Sequence, residues 1–149
     1  MIRKARLDDI ENILNTIEPY VTEGILLEKT QQDIVVRLRD FFIYEEDGRL
    51  SGCVALFPGW DALGEICTLA VDGSCTNKGI GTELVQACIQ DARELGLPKI
   101  FALTYEKEFF SKFGFKEVDK HTLPQKIFKD CIKCPHYLDC RETAVVLEL

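Results

Sequence analysis

The stretch from Glu65 to Val85, EICTLAVDGSCTNKGIGTELV, decides how the chain is read. Its first part, Glu65–Val71, has the apolar and β-branched content of a strand. From Leu84 onward, apolar residues fall at helical spacing: Leu84, Val85, Cys88, Ile89, Ala92 and Leu95, with Gly96 as a C-terminal stop and Pro98 beyond. Between strand and helix lies a loop that carries Gly79 and Gly81. Without Cβ atoms there, consecutive backbone N–H groups can turn toward one anion. They also sit at a helix N-terminus, where the dipole favours negative charge by roughly 0.3–1 kcal/mol when exposed. A Rossmann fingerprint would need a third glycine where Leu84 stands. A P-loop needs Gly-Lys followed by Ser or Thr, whereas the chain has Lys78-Gly79. A pyrophosphate suits the bare strand–loop–helix unit that remains. A tight turn with no ligand is the competing reading.

Outward from this unit, MIRKA at the start reads as a strand. Leu7, Ile10, Ile13, Leu14 and Ile17 then recur at helical spacing, with Asp8 as a cap and Pro19 as a stop. Thr30 and Asp33 fit a capping box that opens a second helix. FFIYEEDGRLSGCVALF is a hairpin turning at Asp47-Gly48. After the central helix come a strand (KIFALTY), a short helix (KEFFSKFG), a strand (FKEV) and a last strand (ETAVVLEL). The order β-α-α-β-β-β-α-β-α-β-β predicts an α/β fold in which helices cover a mixed sheet.

Composition narrows the function. A chain of 149 residues is expected to form one domain with a real core, and 46% hydrophobic and 29% charged residues are ordinary for a globular protein. A net charge of −7 argues against a nucleic-acid groove, which needs a basic face. No apolar run approaches the roughly 18 residues that suggest a membrane span. The opening IRKARLDD lacks the apolar centre of a signal peptide, so a cytoplasmic protein is expected. Seven cysteines suggest thiols or metal ligands more than a disulfide frame. With only His121 and His136 present, a mechanism centred on histidine is disfavoured.

The hairpin, strand, glycine loop, helix, strand, short helix and FGF together resemble the GNAT superfamily of acyl-CoA-dependent N-acyltransferases. Its pyrophosphate signature, Gln/Arg-x-x-Gly-x-Gly/Ala, is matched by Gly79 and Gly81, with Thr76 in place of Gln or Arg. The resemblance implies acetyl-CoA as co-substrate. It would be held by Thr76, Asn77, Lys78, Gly79, Ile80, Gly81 and Thr82 and by backbone groups of Leu69, Ala70 and Val71. A second signature, Phe-Tyr-x-x-x-Gly-Phe, is matched by Phe109, Phe110, Gly114 and Phe115, so that Phe110 replaces a tyrosine many members use as general acid. GILLEKT, CVALFPGWDALGEICTLAV, IFALT and RETAVVLEL are similar to the acetyltransferase domain of bacterial N-acetylglutamate synthases. The amino-acid-kinase-like domain of the long synthases is not in this sequence, so the resemblance is to a short form with residues 1–149 as a single domain.

Acetyl transfer needs a neutral amine, a held oxyanion and a leaving thiolate. Glu65 matches the family's catalytic glutamate as general base, against an alternative as a strand carboxylate facing solvent. Thr104 and Tyr105 compete as general acid toward the coenzyme thiolate, which can also leave unaided because a model thiol has a pKa of about 8.5. By position, Lys29, Arg141 and Thr143 match the branch's substrate-binding residues, and cations suit an L-glutamate acceptor with two carboxylates. Their alternative is a solvated surface charge. Lys at position 29 lacks the guanidinium fork, which leaves strict glutamate preference open.

The segment Cys131-x₂-Cys134-x₅-Cys140, with His136 inside, has ligand types for a structural zinc or an iron–sulfur site. Only one knuckle is present, so a local disulfide or plain thiols are expected instead. Cys67, Cys75 and Cys88 read as small packing residues. The whole sequence is read as an N-acetyltransferase acting on glutamate. The rivals are a GNAT enzyme for another amine (amino acid, polyamine or protein) and a catalytically silent acyl-CoA-binding or metal-sensing module. No nucleic-acid or membrane partner is expected, and a homodimer is compatible with the reading.

Overall fold

The computed structural model describes residues 1–59, 62–123 and 142–149. Within them the chain runs β1 (Ile2–Lys4), α1 (Ile10–Thr22), α2 (Gln31–Val36), β2 (Phe41–Glu46), β3 (Arg49–Pro58) and β4 (Leu63–Val71). It continues through α3 (Ile80–Leu95), β5 (Lys99–Thr104), α4 (Lys107–Ser111), β6 (Lys116–Val118) and β7 (Thr143–Glu148). This is the order read from the sequence. The strands form a seven-stranded sheet in the order β1-β2-β3-β4-β5-β7-β6. Only β4 and β5 run parallel; the other neighbours are antiparallel. Among the described residues no helix is long and apolar enough to cross a membrane.

Local chemistry explains most boundaries. Asp47 and Gly48 take φ of 52° and 75°, the left-handed pair that a tight hairpin requires, and join β2 to β3. The Asp33 N–H donates to Thr30 Oγ1 at 3.1 Å and the Thr30 N–H to Asp33 Oδ2 at 2.9 Å, closing the expected capping box on α2. Gly96 ends α3 at φ 82°. Two expectations at α1 are corrected. Asp9, not Asp8, organises the entry: its Oδ2 accepts the Arg6 N–H at 2.7 Å, and its carboxylate takes two bonds from Arg3, at 2.8 and 3.0 Å. Burial pushes the Asp9 carboxyl up, but the bonds from Arg3 and Arg6 outweigh it and hold the group below its ordinary value. Pro19 does not stop α1, which continues to Thr22. The helix beyond it is fixed by tertiary contact, because the Tyr20 hydroxyl donates to the Val71 carbonyl at 2.7 Å.

The sheet has a core on each face. Ile13, Ile17 and Ile34 from α1 and α2 pack on Phe41, Ile43, Cys53, Ala55 and Ala70. Ile80, Leu84, Val85, Cys88, Ile89 and Ala92 of α3 pack on Val54, Leu56 and Ile66 of the opposite face. Burying each large side chain contributes about 1.5–3 kcal/mol. The expected apolar face of α3 is therefore the buried one, with Leu95 left 56% exposed at its end.

Candidate active site

The site begins where β4 and β5 part. Their parallel register covers Leu63, Gly64 and Glu65 and stops at Glu65↔Phe101. Yet β4 continues to Val71 and β5 to Thr104. On its other edge β4 stays paired with β3 as far as Val71↔Gly52. The parting coincides with a bulge. Cys53 faces Ala70 and Ala55 faces Cys67, so Val54 alone opposes Thr68 and Leu69. Thr68 has φ 55° and is only 5% exposed. For a β-branched residue that conformation costs about 1–2 kcal/mol. A bulge bends its strand and sharpens the twist, which carries the end of β4 away from β5.

The bulge also exchanges faces. Ile66 packs with α3 and Cys67 with α1 and α2, the alternation expected of a strand. Past Thr68, Leu69 and Val71 pack with α3 while Ala70 lies on the α1 side. The three residues read as a backbone platform for the cofactor thus lie beyond the bulge, on the stretch of β4 that no longer pairs with β5.

The glycine loop follows directly. Asn77 and Gly79 take φ of 65° and 80°, and Gly79 is the N-cap of α3 with no side-chain cap. The first N–H groups of this 16-residue helix, those of Ile80, Gly81 and Thr82, have no intrahelical acceptors. Thr76, Asn77, Lys78 and Gly79 are exposed. An anion can therefore reach the uncapped amides. The two glycines serve different ends. A Cβ on Gly79 would meet nothing within 4 Å, so glycine is needed there for its positive φ. A Cβ on Gly81 would lie 3.5 Å from Phe109 Cζ and 3.9 Å from Val71 Cγ2, which places α3 against α4 and β4. Thr76 donates from Oγ1 back to the Gly73 carbonyl at 3.4 Å, inside its own turn. These features fit the pyrophosphate and pantetheine arm of a coenzyme A ester: uncapped amides at a helix N-terminus beside an unpaired strand edge.

On the α1 and α2 face of β4, half-buried Glu65 stands opposite Phe57 of β3 and Phe101 of β5. Cys67 shares that face. Burial pushes its thiol well above the ordinary range; the Glu65 carboxylate adds to this, and the Lys29 ammonium opposes it. Lys29, half-buried in the loop between α1 and α2, and Glu65 thus both act on one point of the cleft. The Cys53 and Cys88 thiols are pushed up to about 12 by burial, in keeping with packing roles.

At the end of β5, Thr104 is 8% exposed and pairs in register with Thr143 of β7. Its Oγ1 accepts the Glu106 N–H at 2.8 Å, leaving its own proton available to donate. Tyr105, the next residue, is 40% exposed. Phe110, 4% exposed, packs edge-to-face on Phe109 and Phe115 with ring centroids 5.3 and 5.2 Å apart. It belongs to the core and carries no proton. Arg141, Cys131, Cys134, Cys140 and His136 lie outside the described residues.

Two features escape the sequence reading. The bulge left a trace, since three consecutive apolar residues, Leu69 to Val71, break the alternation of the strand. The Tyr20 bond to Val71 leaves none, because a stop at Pro19 ends the helix three residues short of Thr22.

The model of the acetyltransferase (GNAT) family matches residues 7–115. An uncharacterized N-acetyltransferase of Chlorobaculum tepidum is 39% identical over 148 residues, covering 99% of this chain and 96% of that protein. An amino-acid acetyltransferase of Mycobacterium tuberculosis is 36% identical over 133 residues, 87% of this chain and 76% of the other. Among solved structures, a Mycobacterium tuberculosis protein in complex with CoA superposes with a TM-score of 0.85 at 33% identity, covering 100% of this chain and 99% of that one. The N-acetylglutamate synthase of Neisseria gonorrhoeae, complexed with coenzyme A and N-acetyl-glutamate, gives 0.90 at 32%, covering 100% of this chain but 35% of its own.

Proposed function

Since the chain belongs to the acetyltransferase (GNAT) family and is an N-acetyltransferase with acetyl-CoA as co-substrate, we propose that its acceptor is the α-amine of L-glutamate. The observation that carries this reading is the place of Glu65, half-buried on the face of β4 opposite α3 and in the last register pair before β4 and β5 part, with Lys29 near enough to act on the neighbouring Cys67. A carboxylate there can take the amine proton, and a cation there can hold a substrate carboxylate. Relatives named for amino-acid acetylation and for N-acetylglutamate synthesis support the same class of acceptor.

In the reaction we propose, Glu65 removes the proton from the amine, directly or through a water. The nitrogen lone pair attacks the thioester carbonyl, and the C–S bond breaks. Backbone groups of Leu69 to Val71 hold the carbonyl oxygen, and the amides of Ile80 to Thr82 hold the pyrophosphate. Thr104 is the preferred donor to the departing sulfur, because its hydroxyl is buried and already oriented by the Glu106 N–H. Tyr105 is the alternative. Thr143, opposite Thr104, is assigned to the acceptor pocket with Lys29, and Arg141 is assigned to it from its match to the synthase branch alone. The setting is arginine biosynthesis in the cytoplasm, with residues 1–149 acting as one domain.

Release of CoA thiol, measured across a panel of amino acids, polyamines and a peptide amine, tests this reading. Glutamate is expected to give the highest kcat/KM, with glutamine at least about tenfold lower because the amide forfeits a charge-assisted contact. Equal use of both would reduce the assignment to a GNAT enzyme for another amine. Binding of acetyl-CoA with no amine-dependent thiol release would make the chain a binding module.

A further inference from the structure

We infer that Arg37 is a specificity-determining residue of the acceptor site and grips the side-chain carboxylate of a dicarboxylic amino acid; this rests on the glutamate reading above. Arg37 caps the C-terminal end of α2, six residues beyond its start at Gln31, and lies over Phe57 on the α1 and α2 face of the sheet. Its guanidinium carbon lies 4.5 Å from the centroid of the Phe57 ring. Phe57 is the direct cross-strand partner of Glu65. Directly opposed antiparallel residues point to the same face with Cβ atoms about 4.5–5.5 Å apart. Arg37, Phe57, Glu65 and Cys67 therefore form one continuous row, and Lys29 acts on its far end.

The chemistry of the row is specific. Phe57 offers no charge of its own, but a guanidinium stacked on an aromatic face keeps its in-plane N–H donors available for a bidentate acceptor. Arg37 is ion-paired with Asp40, but at 3.4 Å and with 43% of the arginine side chain exposed. A long, partly exposed pair of this kind contributes little and gives way readily to a better-placed carboxylate. Two cations then border the row that holds the base: a point charge at Lys29, near Cys67, and a fork at Arg37, over Phe57. An acceptor with two carboxylates about one amine matches that arrangement, and the fork supplies the directional recognition that Lys29 lacks.

Steady-state kinetics of the full chain with glutamate and glutamine decide the matter. Arg37→Met keeps an unbranched apolar stem on Phe57 and removes the charge. Its KM for glutamate should rise about tenfold or more, with kcat and the KM for acetyl-CoA within about twofold, and the preference for glutamate over glutamine should shrink by about the same factor. Asp40→Asn releases the fork and should leave that preference intact or strengthen it. An unaltered preference in Arg37→Met, or equal damage from Asp40→Asn, would overturn the inference and leave the pair a structural one. Should Arg37→Met fail to fold, Arg37→Lys decides: charge without the fork should lose part of the preference, and full retention would overturn the role. A wild-type enzyme that itself ignores the second carboxylate would instead sink the glutamate reading.

Discussion

On the α3 side, the splayed end of β4 meets a loop whose working parts are backbone: left-handed Asn77 and Gly79, then the uncapped amides of α3. On the opposite face it meets side chains drawn from separate segments: Lys29 from a loop, Arg37 from the end of α2, Glu65 from the strand itself. The difference fits the ligands we propose for the two faces. A pyrophosphate is the same in every acyl-CoA, so fixed amides suffice, and the side chains around them can vary, as Thr76 does in turning back to its own loop. An acceptor must be told from its neighbours by charge and reach, which only side chains provide. The cofactor side should therefore tolerate side-chain changes and fail on backbone changes, and the acceptor side should do the reverse.

The largest test removes the base we propose for the acceptor side. Glu65→Gln should bind acetyl-CoA normally in calorimetry yet lose about 10²–10⁴-fold in kcat near neutral pH. Part of the loss should return as pH rises, because more of the amine then arrives neutral. Wild-type turnover across that range would take Glu65 out of the chemistry. Smaller is the effect of the backbone itself. Gly79→Val forces a branched residue into φ 80°, at a cost of about 1–2 kcal/mol, and should weaken acetyl-CoA binding roughly tenfold. Gly81→Ala adds a Cβ at ordinary contact distance from Phe109 and should change affinity by less than about threefold. If Gly81→Ala proves the worse of the two, the division of labour between the glycines is reversed. Smallest is the hydroxyl at the end of β5. Thr104→Val should lower kcat by about threefold to tenfold, the worth of one hydrogen bond, and Thr104→Ser should restore it. An unaffected Thr104→Val would pass the donor role to Tyr105 or to unaided departure.

How much of this was legible in the sequence follows the same division. The fold was readable because its signals are local: a capping box at Thr30, a left-handed pair at Asp47-Gly48 and a helical stripe ending at Gly96. The glycine loop was readable for the same reason. Pro19 misled because its local preference was outweighed by the tertiary bond that Tyr20 makes to a residue 51 positions away. Arg37 could not be found at all from spacing. Its relation to Glu65 passes through Phe57, and only the register of β3 on β4 brings the three together.

The bulge at Thr68 can also be viewed as a change of parity. Along an ordinary strand each residue toggles the face it serves, so odd and even positions answer to different neighbours from end to end. In β4, odd positions such as Glu65 and Cys67 look toward α1 and α2 before Thr68, and the even Ala70 does so after it. One strand thereby writes to both layers in two phases, with the switch at the point where the cleft opens. Deleting Thr68 would leave Ile66, Cys67, Leu69, Ala70 and Val71 alternating without a break, so each would keep the layer it now serves and only the extra residue would be lost. The two cores would survive, and the strand would lose the bend that carries its end away from β5.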